Sequence, residues 1–193
     1  MSEIKNLQKK YQEVNSKPDS ELRGKKTVES KTVMTEMIMP NDTNPLNNLM
    51  GGNLLRWMDI VGGICAGKHC EKHVVTASVD HVSFEKHINL GDVVTIEATV
   101  TRAFNTSVEI YVEVFAADVK GHNSRRCNHA YFTFVALDDE TMKPTKVPVL
   151  LPLTSDEQVR YEGAKRRREM RLILAGRMKP EDAGELKALF TQR

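Results

Sequence analysis

The sequence predicts an α+β fold in which one long helix packs on an antiparallel β-sheet. The order of the elements carries this prediction, because one strand-type run and a helix come first and mainly strand-type runs follow. Four later runs are rich in Val, Ile, Thr, Phe and Tyr and are joined by short turn-type links. Consecutive strands with such short links must be antiparallel. The four runs are HVVTASVDHVSF, DVVTIEATVTRAF, SVEIYVEVFAADV and CNHAYFTFVAL.

The chain divides into three parts. Residues 1–26 are polar and lysine-rich and are expected to form an N-terminal arm with a possible short helix. Residues 27–153 hold the folded domain, which begins with a predicted strand over 27–39. Residues 154–193 form a charged helical tail, with Ser155 as the expected N-cap. The apolar candidates of the first strand are Val28, Val33, Met37 and Met39.

Composition limits the classes of function. With 28 basic and 26 acidic residues, the net charge of +2 provides no general attraction to nucleic acid or to a membrane surface. The three cysteines lack metal-ligand spacing, so reduced thiols are expected. No apolar run is long enough to span a bilayer, and the first residues lack the apolar segment of a signal peptide. We therefore expect a cytoplasmic protein that acts without nucleic acid or a membrane.

The helix predicted over 52–68 has two different faces. Asp59 lies on a face of small residues that includes Gly62, Gly63 and Ala66. Small residues permit close approach by another element, so we expect Asp59 to lie beneath one. The alternative is an ordinary solvent-exposed helix aspartate. The opposite face carries the apolar stripe that should pack on the sheet, formed by Leu54, Trp57, Met58, Val61, Ile64 and Cys65.

The loop that enters this helix is rich in asparagine and ends in Gly51 and Gly52. An asparagine amide and free N–H groups at a helix start can polarise a carbonyl, and a sheltered carboxylate can activate a water beside it. The stretch from Asn41 to Asp59 therefore indicates ester or thioester hydrolysis. For Asn48, the alternative is a turn-forming role within the loop.

Three stretches, in this order and at this spacing, resemble the hotdog-fold acyl-CoA thioesterases. They are NDTNPLNNLMGGNLLRWMDIVGGICAGKHC, then VVTASVDHVSFEKHINLGDVVTIEATVTRAFNTSVEIYVEVF, then AYFTFVALD. The resemblance covers about residues 30–175 and is to the acyl-CoA hydrolase family, with its bacterial single-hotdog members and cytosolic tandem-hotdog relatives. It implies a long central helix wrapped by an antiparallel sheet and a double-hotdog dimer.

The resemblance also implies the catalytic residues. Asn48 and the N–H groups around Gly51 and Gly52 would hold the thioester oxygen, while Asp59 would act as general base on water or, alternatively, as a direct nucleophile. The tandem relatives divide the asparagine and the aspartate between their two halves, so each site here is expected to use two subunits of a homodimer. A trimer of dimers, a hexamer, is the expected larger assembly.

For the CoA portion of the substrate, the resemblance points to the turn of Asn105, Thr106 and Ser107, for which a plain hairpin turn is the alternative. The basic run of the tail offers guanidinium groups for phosphates, and its alternative is a solvated helix face. The candidate arginines of this run are Arg166, Arg167 and Arg168. We expect no metal and no cofactor, since CoA is part of the substrate.

Two other functions fit the same resemblance. One is a non-catalytic protein that binds CoA or a nucleotide for regulation. The other is an enoyl-CoA hydratase of the same fold, which pairs a histidine with the carboxylate. The hydratase is disfavoured because no histidine is expected in the loop or the central helix.

Overall fold

The computed structural model describes residues 23–191, so most of the predicted N-terminal arm lies outside the described residues. A two-residue strand and a single helical turn precede the main domain, and two helices follow it. The elements are β1 (Lys25–Lys26), α1 (Thr27–Ser30), β2 (Thr32–Met37), α2 (Gly51–Cys70), β3 (His73–Phe84), β4 (Val93–Ala103), β5 (Ser107–Ala117), β6 (Arg125–Leu137), β7 (Leu150–Leu151), α3 (Ser155–Leu174) and α4 (Gly184–Thr191).

Five strands form an antiparallel sheet in the order β2-β4-β5-β6-β3, and α2 packs against it. Successive hairpins join β4, β5 and β6, while β3 and β2 close the two edges. The short strands β1 and β7 pair in parallel beside this sheet. The predicted α+β architecture, with one long helix on an antiparallel sheet, is confirmed.

The core lies between α2 and one face of the sheet. Alternate residues of β4 and β5 point to this face because side chains of a strand alternate between faces. The predicted stripe of α2 is buried except for Ile64, which is 47% exposed, so that assignment was wrong. Gly62 is also part of the packed surface, since a Cβ there would lie 3.1 Å from the ring of Phe134.

The predicted first strand is shorter than expected. Residues Thr27–Ser30 form a helical turn, and the strand begins only at Thr32. Of its apolar candidates, Val33 and Met37 are 52% and 44% exposed, because β2 is an edge strand and these side chains point away from α2. Val28 in α1 and Met39 beyond the end of β2 are 71% and 53% exposed. The neighbouring Ile38 is the residue buried here, with 1% exposure.

Helix α3 lies across the outer face of the sheet. Its N-cap is Thr154, not the predicted Ser155: the Thr154 hydroxyl accepts from the Glu157 N–H, and the Glu157 carboxylate accepts from the Thr154 N–H. Arg167 then donates to the carboxylate of Glu109 at 2.7 Å and stacks 3.8 Å from the ring centre of Tyr131. Since the Glu109 side chain is fully buried, loss of this partner would leave an uncompensated charge, at a cost of about 3–5 kcal/mol.

The three cysteines are free and buried, which agrees with the expectation of reduced thiols. Burial raises the pKa of Cys65 and Cys70 to about 12, so neither is a nucleophile near neutral pH. Within residues 23–191, no helix has both the length and the apolar character needed to cross a membrane.

His69 is fully buried in the last turn of α2, where burial lowers its pKa from 6.5 to about 4. Its Nε2 donates to the carbonyl of Pro148 at 3.0 Å, and Nδ1 has no partner among the described residues. Protonation would therefore place an unpaired N–H in the core.

We expect this histidine to make unfolding pH-dependent. The lowered pKa contributes stability that is complete above pH 6.5 and is lost as the pH falls towards 4, because the unfolded chain takes up the proton first. Between about pH 8 and about pH 5 the loss should be about 2 kcal/mol. Urea unfolding at both pH values should show a smaller loss for His69→Gln. An equal loss in both proteins would contradict this assignment.

Candidate functional site

Asp59 sits in the middle of α2 and is partly buried beneath the edge strand β3. The hydroxyl of Thr76 donates to its Oδ1 at 2.7 Å. The expectation that Asp59 lies beneath a packed element is therefore met, and β3 is that element. A carboxylate that is fixed by one hydrogen bond and keeps its second oxygen can accept a proton from a water.

The asparagine-rich loop is held in one conformation by its own hydrogen bonds. The side-chain oxygen of Asn44 accepts from the N–H groups of Leu46 at 2.9 Å and Asn48 at 3.2 Å. The Asn44 N–H in turn donates to the carbonyl of Asn48 at 2.8 Å. Because the Asn44 oxygen is committed to the loop, its NH₂ group is directed away from these partners. Asn44 therefore offers a pre-positioned amide donor.

The loop leads into an open helix start. Met50 is the N-cap and provides no side-chain hydrogen bond. Within residues 23–191, no acceptor outside the helix takes the N–H groups of Gly51 or Gly52. The ring of Phe84 lies 3.2 Å from the position of a Cβ on Gly51, so only glycine fits beneath it without a shift. Backbone donors at such a helix start suit a developing negative charge.

A cavity of about 280 Å³ lies beside this loop. Asn44, Asn48 and Phe84 are among its lining residues, and so are the buried Leu54 and Ile88. The cavity thus combines amide groups with an apolar wall, as expected of a site that receives a carbonyl attached to an apolar chain.

One chain does not bring the predicted asparagine and aspartate together. Asp59 follows Gly51 by eight residues, which is about 12 Å along the helix axis. Asn48 lies beyond the start of that helix and bridges to Asn89, while Asp59 faces Thr76 at its middle. A site that combines these two residues would need the loop of one copy to approach the helix of another.

The residues predicted to bind CoA separate into two groups. Thr106, Ser107 and Arg168 line one cavity of about 290 Å³. Asn105 is exposed beside that cavity, where its carbonyl accepts from the N–H of Val147 at 3.1 Å. Arg166 does not line the cavity.

Arg167 is engaged elsewhere. It contacts the buried Glu109 and the ring of Tyr131, as described for the packing of α3. This geometry favours a structural role for Arg167 over the predicted contact with CoA phosphates.

The central helix contains a histidine after all, because it extends to Cys70 and includes His69. This histidine lies ten residues beyond Asp59, about 15 Å along the axis. Its bond to Pro148 points it into the core. It therefore does not supply the histidine and carboxylate pair of a hydratase.

Sequence reasoning missed Thr76 and Asn44. Thr76 is one of several threonines in strand-type runs, and only its contact with Asp59 distinguishes it. Asn44 is one of four asparagines in the loop, and its two accepted hydrogen bonds become visible only in the folded loop. A side-chain oxygen of Asn that accepts from the N–H two residues later is a common turn pattern. This pattern was the one signal for Asn44 available in the sequence.

The family model described as the thioesterase superfamily matches residues 46–121. A Bacillus subtilis protein described as an uncharacterized acyl-CoA thioester hydrolase is 37% identical over 139 residues, which are 72% of this chain and 80% of that protein. The solved acyl-CoA hydrolase from Staphylococcus aureus in complex with butyryl-CoA, CoA and CoA disulfide is 35% identical, with a TM-score of 0.74 over 86% of this chain and 99% of its own. A hexameric acyl-CoA thioesterase has a TM-score of 0.76 at 35% identity, over 79% of this chain and 97% of its own.

The Staphylococcus aureus hydrolase has also been solved with an asparagine, an aspartate or a threonine replaced by alanine. In that protein the asparagine precedes the aspartate by fifteen positions, and the threonine follows the aspartate by seventeen. In this chain, Asn44, Asp59 and Thr76 have the same spacing, and Thr76 donates to Asp59.

Proposed function

Because this chain belongs to the acyl-CoA thioester hydrolases of the thioesterase superfamily, we propose that it hydrolyses acyl-CoA to a free carboxylic acid and CoA, without a metal or an added cofactor. The observation that carries the proposal is the Asp59 carboxylate held by Thr76, together with an open helix start and a fixed asparagine loop. These groups supply a base for water and donors for the oxygen of the thioester.

In this mechanism, Asp59 takes a proton from water as the water oxygen attacks the thioester carbonyl carbon. The carbonyl oxygen becomes negative, and the loop amide and the N–H groups of Gly51 and Gly52 stabilise it. The carbon–sulfur bond then breaks, the acid is released, and the CoA thiolate regains a proton from Asp59. Each proton and electron pair is accounted for without a further reactant.

For the loop amide we propose Asn44 instead of the Asn48 predicted from the sequence. The hydrogen bonds that hold the oxygen of Asn44 support this choice, and so does its spacing from Asp59. Asn48 donates its own N–H to Asn44 and bridges to Asn89, so its position supports the loop.

We further propose a homodimer in which the β3 strands of two copies meet. In the single chain, β3 is a twelve-residue edge strand, and Val75, Val79 and Phe84 on it are 42–57% exposed. Long exposed edge strands with apolar side chains favour pairing with another strand. Ile60 and Ile64 of α2 are exposed by 40% and 47% and would be covered in the same contact. A two-fold axis there would bring the loop of one subunit towards Asp59 of the other.

The basic test is release of thiol from acyl-CoA, followed with a thiol reagent over substrates from acetyl-CoA to palmitoyl-CoA. We expect turnover of at least part of this series, and no loss of activity after treatment with a chelator. Tight binding of CoA with no thiol release from any substrate would overturn the proposal in favour of a regulatory binding protein.

Thr76 should act as a positioning residue for Asp59. Because its hydroxyl donates to the carboxylate, Thr76→Val should lower kcat about tenfold, the effect of losing one hydrogen bond to a charged group. Thr76→Ser keeps the hydroxyl and should restore most of the activity. Equal activity of the valine and serine variants would contradict this role.

A further inference from the structure

The edge strand β3 contacts both halves of the proposed site, at two separate places. Thr76 lies at the position of Asp59, because its hydroxyl donates to that carboxylate at 2.7 Å. Phe84 lies at the start of α2, because its ring is 3.2 Å from the position of a Cβ on Gly51. The two contacts are eight residues apart on the strand. Thr76 and Phe84 therefore show where each half of the site meets β3.

These two contacts determine how two copies of β3 can pair. The proposed site joins Asp59 of one subunit to the helix start of the other, so Thr76 of one copy must lie close to Phe84 of the other. In an antiparallel pair about a two-fold axis, residues at equal distances from the axis lie opposite each other. Position 80 is midway between positions 76 and 84. In such a dimer Asp80 would lie at the axis, opposite its own copy.

Asp80 points to the outer face of the sheet, beneath α3. It lies opposite Tyr131 of β6, whose ring on that face stacks against Arg167 of α3. Directly opposed residues of an antiparallel pair have Cβ atoms only about 5 Å apart. Two bare carboxylates at this distance repel each other, and like charges at opposed positions destabilise a strand pair. An aspartate at the axis therefore needs a cation from another part of the fold.

Helix α3 supplies this cation. Arg171 donates to Oδ2 of Asp80 at 2.6 Å, and the two side chains are only 16% and 22% exposed. Among residues 23–191, no other cation forms an ion pair with Asp80. A single ion pair near a protein surface contributes little to the stability of one chain. At a two-fold axis the same pair removes a repulsion between two chains.

We propose that Arg171 permits dimerisation by neutralising Asp80 at the two-fold axis where the β3 strands of two copies pair. The partner that this surface fits is a second copy of the chain. The inference rests on the proposed thioesterase function, because the shared site sets the register of the two strands. It also connects the charged tail to activity, since a dissociated subunit holds no complete site.

A double-mutant cycle tests the charge argument. Arg171→Gln should raise the Kd of the dimer about tenfold or more, because two bare carboxylates then face each other. Adding Asp80→Asn removes both carboxylates and should return the Kd to near the wild-type value. Sedimentation over a range of protein concentrations measures each Kd. Lys31→Gln is the matched control, since Lys31 pairs with Glu97 at the same 2.6 Å near the opposite edge of the sheet, and its Kd should not change.

The activity of the same proteins provides a second measurement. Because each site needs two subunits, the specific activity of Arg171→Gln with butyryl-CoA should fall on dilution, at protein concentrations where that of the wild type stays constant. The variant that also carries Asp80→Asn should show the concentration dependence of the wild type.

Cross-linking tests the register independently. Asp80→Cys places two thiols at the axis, within the distance that a disulfide spans, so mild oxidation should link the two chains. His73→Cys is the control, because His73 is exposed on the same strand. It lies seven residues from the axis, which separates it from its own copy by about 46 Å. The His73→Cys chains should not link above the background of the three buried native cysteines.

Three results would overturn the inference. One is a wild-type protein that stays monomeric. Another is a Kd of Arg171→Gln that equals the wild-type value or that Asp80→Asn does not restore, since the ion pair would then only hold α3 on the sheet. The third is an absence of cross-links in Asp80→Cys, which would place the axis elsewhere. A wild-type dimer that hydrolyses no acyl-CoA refutes the proposed function instead, and sedimentation distinguishes that outcome from these three.

Discussion

Replacement of Asp59 by asparagine should lower kcat about a thousandfold, the range expected when a general base is removed. The side-chain oxygen of asparagine can still accept the Thr76 hydroxyl, so the local structure should be retained while the proton acceptor is lost. KM for acyl-CoA should change little, because Asp59 acts on the attacking water and not on the CoA portion of the substrate. Steady-state kinetics with butyryl-CoA measures both constants.

Asp156→Asn is a matched control, because Asp156 is an exposed carboxylate in the first turn of α3. Its kcat should equal that of the wild type. An Asp59→Asn protein with near-normal kcat would exclude Asp59 from the chemistry and leave the proposed mechanism without a base.

Replacement of Asn44 should have the second largest effect. Asn44→Asp keeps the oxygen that accepts from Leu46 and Asn48 but removes the NH₂ donor, so the loop should fold while the thioester oxygen loses a partner. We expect kcat to fall by about a hundredfold or more, as when one donor of an oxyanion site is removed. The new carboxylate would also repel the developing negative charge.

Asn48→Ala is the informative comparison. If Asn44 supplies the amide, Asn48→Ala should change kcat only a few fold, because its backbone N–H donates to Asn44 with any side chain. A larger loss in Asn48→Ala than in Asn44→Asp would return the amide role to Asn48, the residue predicted from the sequence. Circular dichroism and thermal unfolding of both proteins would exclude a general loss of structure.

The fold could be predicted from the sequence where burial alone produces the pattern of apolar residues. Burial alternates along β4 because one of its faces packs against α2, and the structure has all four later strands within two residues of the predicted bounds. The same pattern gave wrong predictions of burial where apolar residues do not face the core. Val33 and Ile64 are apolar but exposed in one chain, because β2 is an edge strand and Ile64 faces away from the sheet.

The candidate site could be predicted only in part. Asp59 stands out in the sequence because small residues surround it, whereas Thr76 acquires its role from a contact across seventeen residues. The basic run of the tail predicted arginines for phosphate contacts, but the sequence did not show which of these arginines are engaged in other contacts. Arg167 turns to the buried Glu109 while Arg168 lines the cavity, since neighbouring residues of a helix point in different directions.

The central claim is that each site combines Asp59 of one subunit with the asparagine loop of the other. It can be tested by mixing inactive Asn44→Ala and Asp59→Ala dimers, unfolding them partly and refolding them together. In a mixed dimer, one site carries both lesions and the other carries neither. With random pairing about half of the dimers are mixed, and each has one working site of two.

The recovered activity is therefore the most direct measurement. We predict that roughly a quarter of wild-type kcat returns after refolding of the mixture, and none after refolding of either variant alone. Mixed dimers should first be demonstrated, for example by mass spectrometry of differently tagged chains. If mixed dimers form and no activity returns, Asn44 and Asp59 act within one subunit and the shared site is wrong.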